Sequence, residues 1–192
     1  PVTAMYLVCR LLLEKKKRPA NVSPEQPGLG YQTFRAVNGT TVGVVCLLGR
    51  TFMKVAGECP FRAADEALSE ISRETSIIIV DMHAEATSEK IAMGRYLDGR
   101  VTAVLGTHTH VATADEKVLP GGTAYQTDVG MVGARESILG REIKPVLHKF
   151  TTGMPARFNV VNTGIRVHAT LIELNEETGR ATKIRRVHHD AG

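Results

Sequence analysis

The chain has 192 residues, 43% hydrophobic and 23% charged, which supplies one domain with a real core and excludes a disordered or low-complexity protein. Tryptophan is absent and aromatic residues make up only 5%, so stacking platforms for single-stranded nucleic acid are poorly supplied. The net charge of +4 admits a polyanionic partner, but the basic residues gather at 15–18 and 180–186, where solvated chain ends account for them.

Residues 1–17 read as an apolar patch followed by Glu14-Lys15-Lys16-Lys17, with a short helix as the expected form. The apolar stretch 2–13 is interrupted by Arg10 and too short to span a bilayer. It also lacks the basic start and small-residue cleavage site of a signal peptide. The first residue is Pro1, so the chain reads as processed or as a fragment. Cys9, Cys46 and Cys59 are odd in number and far apart, with no C-x-x-C pair. That pattern predicts no thiolate zinc site and no disulfide framework, and a reducing cytoplasm is the expected location.

Residues 18–30 carry Pro19, Pro24, Pro27, Gly28 and Gly30 and read as an irregular connection. Residues 41–48 form a β-rich apolar run, after which Gly49-Arg50-Thr51-Phe52 leaves as a loop. Pro60 opens a helix with Phe61, Ala64, Leu68 and Ile71 on one face. The next strand is predicted over 76–80. A second helix is predicted over 88–97, with Thr87 or Ser88 as N-cap and Gly99 just past its end. A third strand covers 101–105. This alternation is the signature of an α/β layer fold. Beyond residue 110, residues 117–127 read as a hairpin turning at Pro120-Gly121-Gly122, and 135–149 as partly helical. Segments 157–162, 165–174 and 181–187 read as antiparallel strands, with a turn at 175–179. No repeat and no domain boundary follows residue 18.

The residues most charged with chemistry follow two of the buried strands. Asp81-Met82-His83 lies just past the run 77–80, and His108-Thr109-His110 just past 101–105. Ligands bind open α/β sheets at the carboxyl ends of the strands, and neutral imidazole is the commonest side-chain metal ligand. In extended backbone, residues two apart share a face, so His108 and His110 are expected to converge, with His83 as third ligand. Glu85 and Glu89 read as carboxylates that orient a ligand or serve a helix start. Asp128 orients a ligand histidine, contacts substrate or forms an Asx-turn. Arg50 is a candidate phosphate contact or a surface guanidinium. No phosphate-binding glycine loop, serine-nucleophile elbow or H-E-x-x-H is present.

Three segments in order carry a family resemblance: His83-Ala84-Glu85-Ala86-Thr87-Ser88-Glu89-Lys90, Gly106-Thr107-His108-Thr109-His110-Val111 and Thr127-Asp128-Val129-Gly130-Met131. With Arg18-Pro19-Ala20-Asn21 and Gly49-Arg50-Thr51-Phe52, they resemble the YmdB-type metallophosphoesterases over roughly residues 18–186. Residues 1–17 are outside the resemblance, so the chain is divided into an unmatched segment 1–17 and a partial domain 18–192. The resemblance implies an α/β calcineurin-like αββα sandwich, present here as its C-terminal two-thirds. It implies two metal ions, iron or manganese, and hydrolysis of a small-molecule phosphodiester, a 2′,3′- or 3′,5′-cyclic nucleotide monophosphate. By position, His83 and His108 would hold one metal and His110 the other. Asp81 mimics the opening D-x-H of the wider superfamily but receives no ligand role, because no G-D or G-N-H segment follows it before His108.

The same resemblance implies a first-strand Asp, a Glu-Asn pair and an Asn-His pair with the general-acid histidine, and this sequence has no Gly-Asp, Glu-Asn or Asn-His. Two dications about 3.5–4 Å apart need a bridging carboxylate. Without it, three neutral histidines are expected to hold at most one weakly bound, softer ion such as Zn²⁺ or Ni²⁺. This chain is therefore expected to be impaired. The alternative is an inactive truncated paralogue or gene-model fragment, at most a binding or scaffold domain. A homo-oligomer is compatible with the sequence, and no membrane partner is expected.

Overall fold

The computed structural model describes residues 18–54 and 57–191. The helix expected within residues 1–17, the apolar stretch 2–13 and Cys9 lie outside the described residues.

The apolar runs assemble one six-stranded sheet. In chain order its strands are β1 (Tyr31–Arg35), β2 (Thr41–Leu48), β3 (Ile78–His83), β4 (Ala103–Thr107), β5 (Lys117–Val118) and β6 (Ala124–Gln126). The spatial order is β1-β2-β3-β4-β6-β5. The four central strands are parallel, while β1 and β5 run antiparallel at the two edges. Parallel neighbours need a crossover. Helix α1 (Pro60–Ile71) supplies the one between β2 and β3, and α2 (Thr87–Tyr96) the one between β3 and β4. A second, antiparallel sheet is built from β7 (Val132–Ala134), β8 (Ile165–Leu174) and β9 (Ala181–Ala191). Helix α3 (Ile143–Thr152) lies between β7 and β8 in sequence and buries only Val146.

The period of two along the strands divides the core. Val45, Leu47, Ile78, Val80, Met82 and Val104 point toward the helices, where they meet Ala64, Leu68 and Ile71 of α1 and Met93 of α2. Ile77, Ile79, Ala103 and Leu105 point the other way and pack on Ile172 and Leu174 of β8. Helices, large sheet and small sheet are thus stacked as layers. Buried Thr170 ties the sheets together, its hydroxyl donating to Gln126 Oε1 at 2.6 Å. No helix among the described residues is long and apolar enough to cross a membrane.

The predicted face of α1 is the one that packs: Ala64, Leu68 and Ile71 are buried, with Phe61 against them. Pro60 takes the first helical position, where its missing N–H costs nothing. The hairpin at 117–126 forms, as does the turn at 175–179, where Asn175 Oδ1 accepts the N–H groups of Glu177 and Thr178. Several expectations change. The strands predicted over 76–80 and 101–105 are shifted toward their carboxyl ends, starting at Ile78 and Ala103 and running to His83 and Thr107, because hydrogen-bonded register continues beyond the apolar runs. The N-cap of α2 is Ala86, not Thr87 or Ser88, since buried Ala86 offers its carbonyl to the first helical N–H groups. Segment 157–162 contributes only an isolated bridge from Val160 to Arg141. The short strands β1 and β7 lacked an apolar run to announce them.

Candidate functional site

The face of β3 that carries Ile77 and Ile79 into the inter-sheet core carries Asp81 and His83 beyond it. Register pairs His83 with Thr107 of β4 and Asp81 with Leu105. One hydroxyl therefore serves two side chains of the neighbouring strand. Thr107 Oγ1 donates to Asp81 Oδ1 at 2.7 Å and lies 3.0 Å from His83 Nδ1. The other ring nitrogen, His83 Nε2, faces His108 Nδ1 at 3.1 Å, with the two rings edge to face at 85°. His108 Nε2 in turn meets Glu85 Oε2 at 3.0 Å. Burial holds the pKa of His83 below its ordinary value, and neighbouring His108 and Lys90 push the same way, so its ring is neutral at pH 7.

The loop carrying His108 and His110 is not extended. His108 has φ +107° and His110 φ +69°, the left-handed region that costs a non-glycine residue about 1–2 kcal/mol. The two rings therefore do not converge through a shared strand face. His108 turns to His83, and His110 is exposed at the wall of two clefts. One cleft, about 430 Å³, is mostly apolar, with Met131, Leu139 and Val160 among its lining residues. The other, about 240 Å³, includes Arg135, Arg166 and His168. Among the described residues, no group of three or more His, Cys, Asp or Glu side chains is arranged to hold a metal ion.

Strained backbone persists where its surroundings over-determine it. Here Asp128 does so. Its Oδ2 accepts the Thr109 N–H at 3.0 Å and the Thr109 hydroxyl at 2.8 Å, pinning the residue between the two histidines. The same oxygen is 3.0 Å from Lys90 Nζ, and both side chains are 1% exposed. Oδ1 accepts the Gly130 N–H at 2.9 Å, so the Asx-turn forms as well. Asp128 is buried and acts on the histidine loop, not on solvent. Gly106, at the end of β4, lets this packing close: a Cβ there would overlap the Thr127 carbonyl oxygen and crowd Lys90 Cδ.

On the β2 side, Glu89 accepts the N–H groups of Arg50 at 3.0 Å and Thr51 at 3.3 Å, which holds the loop after β2 against the start of α2. Gly49 is required there, since a Cβ would meet Ala84 Cβ and the Glu89 carboxylate. Arg50 contributes its backbone N–H to this contact, and the residue itself is exposed. Sequence reasoning gave Lys90 no role and singled out Thr107 only as a small residue flanking the histidines, not as a hydrogen-bond partner. Lys90 did leave a signal: it shares a helical face with Ala86, Met93 and Leu97, where an apolar residue would be the rule. Thr107 left none, because its importance comes from strand register.

The family model for YmdB-like protein matches residues 11–187. The chain belongs to the YmdB-like family. A relative from Bacillus subtilis (strain 168), a 2′,3′-cyclic-nucleotide 2′-phosphodiesterase, is 45% identical over 170 residues, covering 88% of this chain and 64% of its own length. This YmdB-like chain thus spans a little under two thirds of that relative. Among solved structures, a hypothetical protein from Thermus thermophilus superposes with a TM-score of 0.81 at 45% identity, over 91% of this chain and 67% of that one. A phosphatase from Mycoplasma pneumoniae gives 0.80 at 31% identity, over 93% of this chain and 66% of that one. The α/β calcineurin-like layering expected from the sequence is the fold of this YmdB-like chain.

Proposed function

We propose that this chain carries the histidine side of a metal-dependent phosphodiesterase centre. The single observation that carries the reading is the pair His83 Nε2 and His108 Nδ1, facing each other at 3.1 Å at the carboxyl ends of adjacent parallel strands. The family membership supports it, as does the phosphodiesterase named among its relatives. The substrate class is a cyclic nucleotide monophosphate, 2′,3′-cyclic first and 3′,5′-cyclic second. The donors fit a transition-metal ion, since two imidazoles, one kept neutral by burial, are ligands suited to iron or zinc. His83 and His108 would hold one ion, and His110 would face the second of the iron or manganese pair. Such ions supply Lewis-acid activation at phosphorus and neutralise charge in the transition state.

The chain's own residues then divide the remaining work. Glu85 orients His108, and Asp128 with Lys90 holds the loop on which His108 and His110 sit. Exposed His110 borders both clefts, and exposed Arg50 is the proposed phosphate contact. With no group of three or more His, Cys, Asp or Glu side chains arranged to hold a metal ion among the described residues, we propose that this chain alone holds at most one ion, weakly, and turns over slowly. The same observation favours the second reading, a domain that binds without turnover.

Two measurements test this. Titration of the purified chain with Mn²⁺ or Zn²⁺ is expected to give about one equivalent, lost in His83→Ala. A stoichiometry near zero, or one unchanged by that substitution, would sink the metal reading. Hydrolysis of 2′,3′-cyclic AMP is expected near background, and brisk turnover rising with added Mn²⁺ would overturn the proposed impairment.

A further inference from the structure

We infer that Asp81 and Thr107 are positioning residues that fix the proton of His83 on Nδ1 and so present a bare Nε2 to His108. An ionised carboxylate only accepts hydrogen bonds, and a threonine hydroxyl has one proton and two lone pairs. Thr107 gives its proton to Asp81 at 2.7 Å, so only lone pairs remain toward His83 Nδ1 at 3.0 Å. Nδ1 must therefore carry the hydrogen. A neutral imidazole has one N–H, which leaves Nε2 without one.

Glu85 Oε2 lies 3.0 Å from His108 Nε2 and orients that ring. Its Nδ1 lies 3.1 Å from the bare His83 Nε2, a hydrogen-bond distance at which that lone pair accepts an N–H from His108 in the metal-free chain. A cation held by both imidazoles would take the place of that proton. Strand register explains why Thr107 can do this: it is the residue directly opposite His83, with Asp81 diagonal to it on the same face.

The inference gives Asp81 a task other than ligation. It rests on the proposed metal role of His83 only for its consequence, since the tautomer is measurable in the metal-free chain. The test is ¹⁵N NMR of the histidine rings in the full chain at pH 7.5, with His83 assigned by His83→Gln. The expected result is the Nδ1–H tautomer for His83. Thr107→Val and Asp81→Ala, each checked for an intact amide spectrum, should shift it toward Nε2–H, and Thr107→Ser should retain it. An Nε2–H ring in the wild type, or an Nδ1–H ring indifferent to both Thr107→Val and Asp81→Ala, would overturn the inference. In a parallel Zn²⁺ titration, Thr107→Val should weaken binding about 10–100-fold, the usual cost of losing a partner that orients a ligand, with Thr107→Ser close to wild type. The expected tautomer in a wild-type chain that takes up no metal would uphold the relay and count against the metal reading.

Discussion

The two ends of the parallel sheet are both polar and both hydrogen-bonded, yet they are built differently. At the amino end, buried Thr102 accepts the Ile78 N–H at 3.0 Å and donates to the Gly179 carbonyl at 2.6 Å. Beside it, Thr123 Oγ1 donates to the Val101 carbonyl at 2.7 Å and accepts the Gly99 N–H at 2.9 Å, and Asp98 accepts the Gly121 N–H at 2.9 Å. The left-handed positions in this network are glycines: Gly99, Gly122 and Gly179. At the carboxyl end Gly130 is left-handed as well, but so are the non-glycine residues His108, His110 and, in the loop after β2, Phe52, and an ion pair is buried beneath the two histidines. The amino end relieves strain with glycine. The carboxyl end retains strain on side chains that carry chemistry, and that difference marks the site.

The largest expected effect breaks the carboxyl end alone. Lys90→Met leaves Asp128 charged, buried and unpaired, which should cost about 3–5 kcal/mol in chemical unfolding. Replacing both partners, as in Lys90→Met with Asp128→Leu, should recover part of that stability while leaving the Thr109 N–H without its acceptor. A single-variant loss under about 1 kcal/mol would mean the histidine loop holds itself.

A pH scan probes the core between the two ends. Burial pushes the Tyr125 phenol up to about 12, opposed in part by its hydrogen bond to Thr127. The unfolded chain loses that proton near pH 10 while the native state keeps it, so the native state binds more protons between about 10 and 12. Stability should therefore fall as pH rises through that window, by up to about 3 kcal/mol from this group. Tyr125→Phe should remove that component of the slope, and an unchanged slope would show that the phenol ionises equally in both states.

At the amino end, Thr102→Val strands the Ile78 N–H and the Gly179 carbonyl and should cost about 1–3 kcal/mol. It should leave metal affinity at the carboxyl end unchanged, and a coupled loss would erase the distinction between the ends. The smallest effect reads the strain itself. His110→Gly should be about 1 kcal/mol more stable than His110→Ala in thermal unfolding, because only glycine takes φ +69° without cost. Equal stabilities would mean the loop relaxes and stores no strain.

Much of the layered fold was legible because alternating apolar runs and crossover helices are local patterns. The β2, β3 and β4 cores, the face of α1 and the hairpin at 117–126 followed from them. The short edge strand β1 and the three-residue β7 did not, because their pairing depends on neighbours distant in sequence. At the site, residue types and spacing singled out His83, His108, His110, Glu85 and Asp128. The extended geometry assumed for 108–110 was wrong, since Asp128 and Lys90 impose a left-handed turn from outside that segment.

The sequence by itself determined the family, the layered α/β architecture and which side chains stand at the carboxyl ends of the strands, because these depend on order and short-range periodicity. Tertiary structure alone decided that Thr107 lies opposite His83, that Lys90 is buried against Asp128 and that His108 and His110 look in different directions. Those facts depend on interstrand register and on desolvated charge, and both arise only when segments far apart in the chain are packed together.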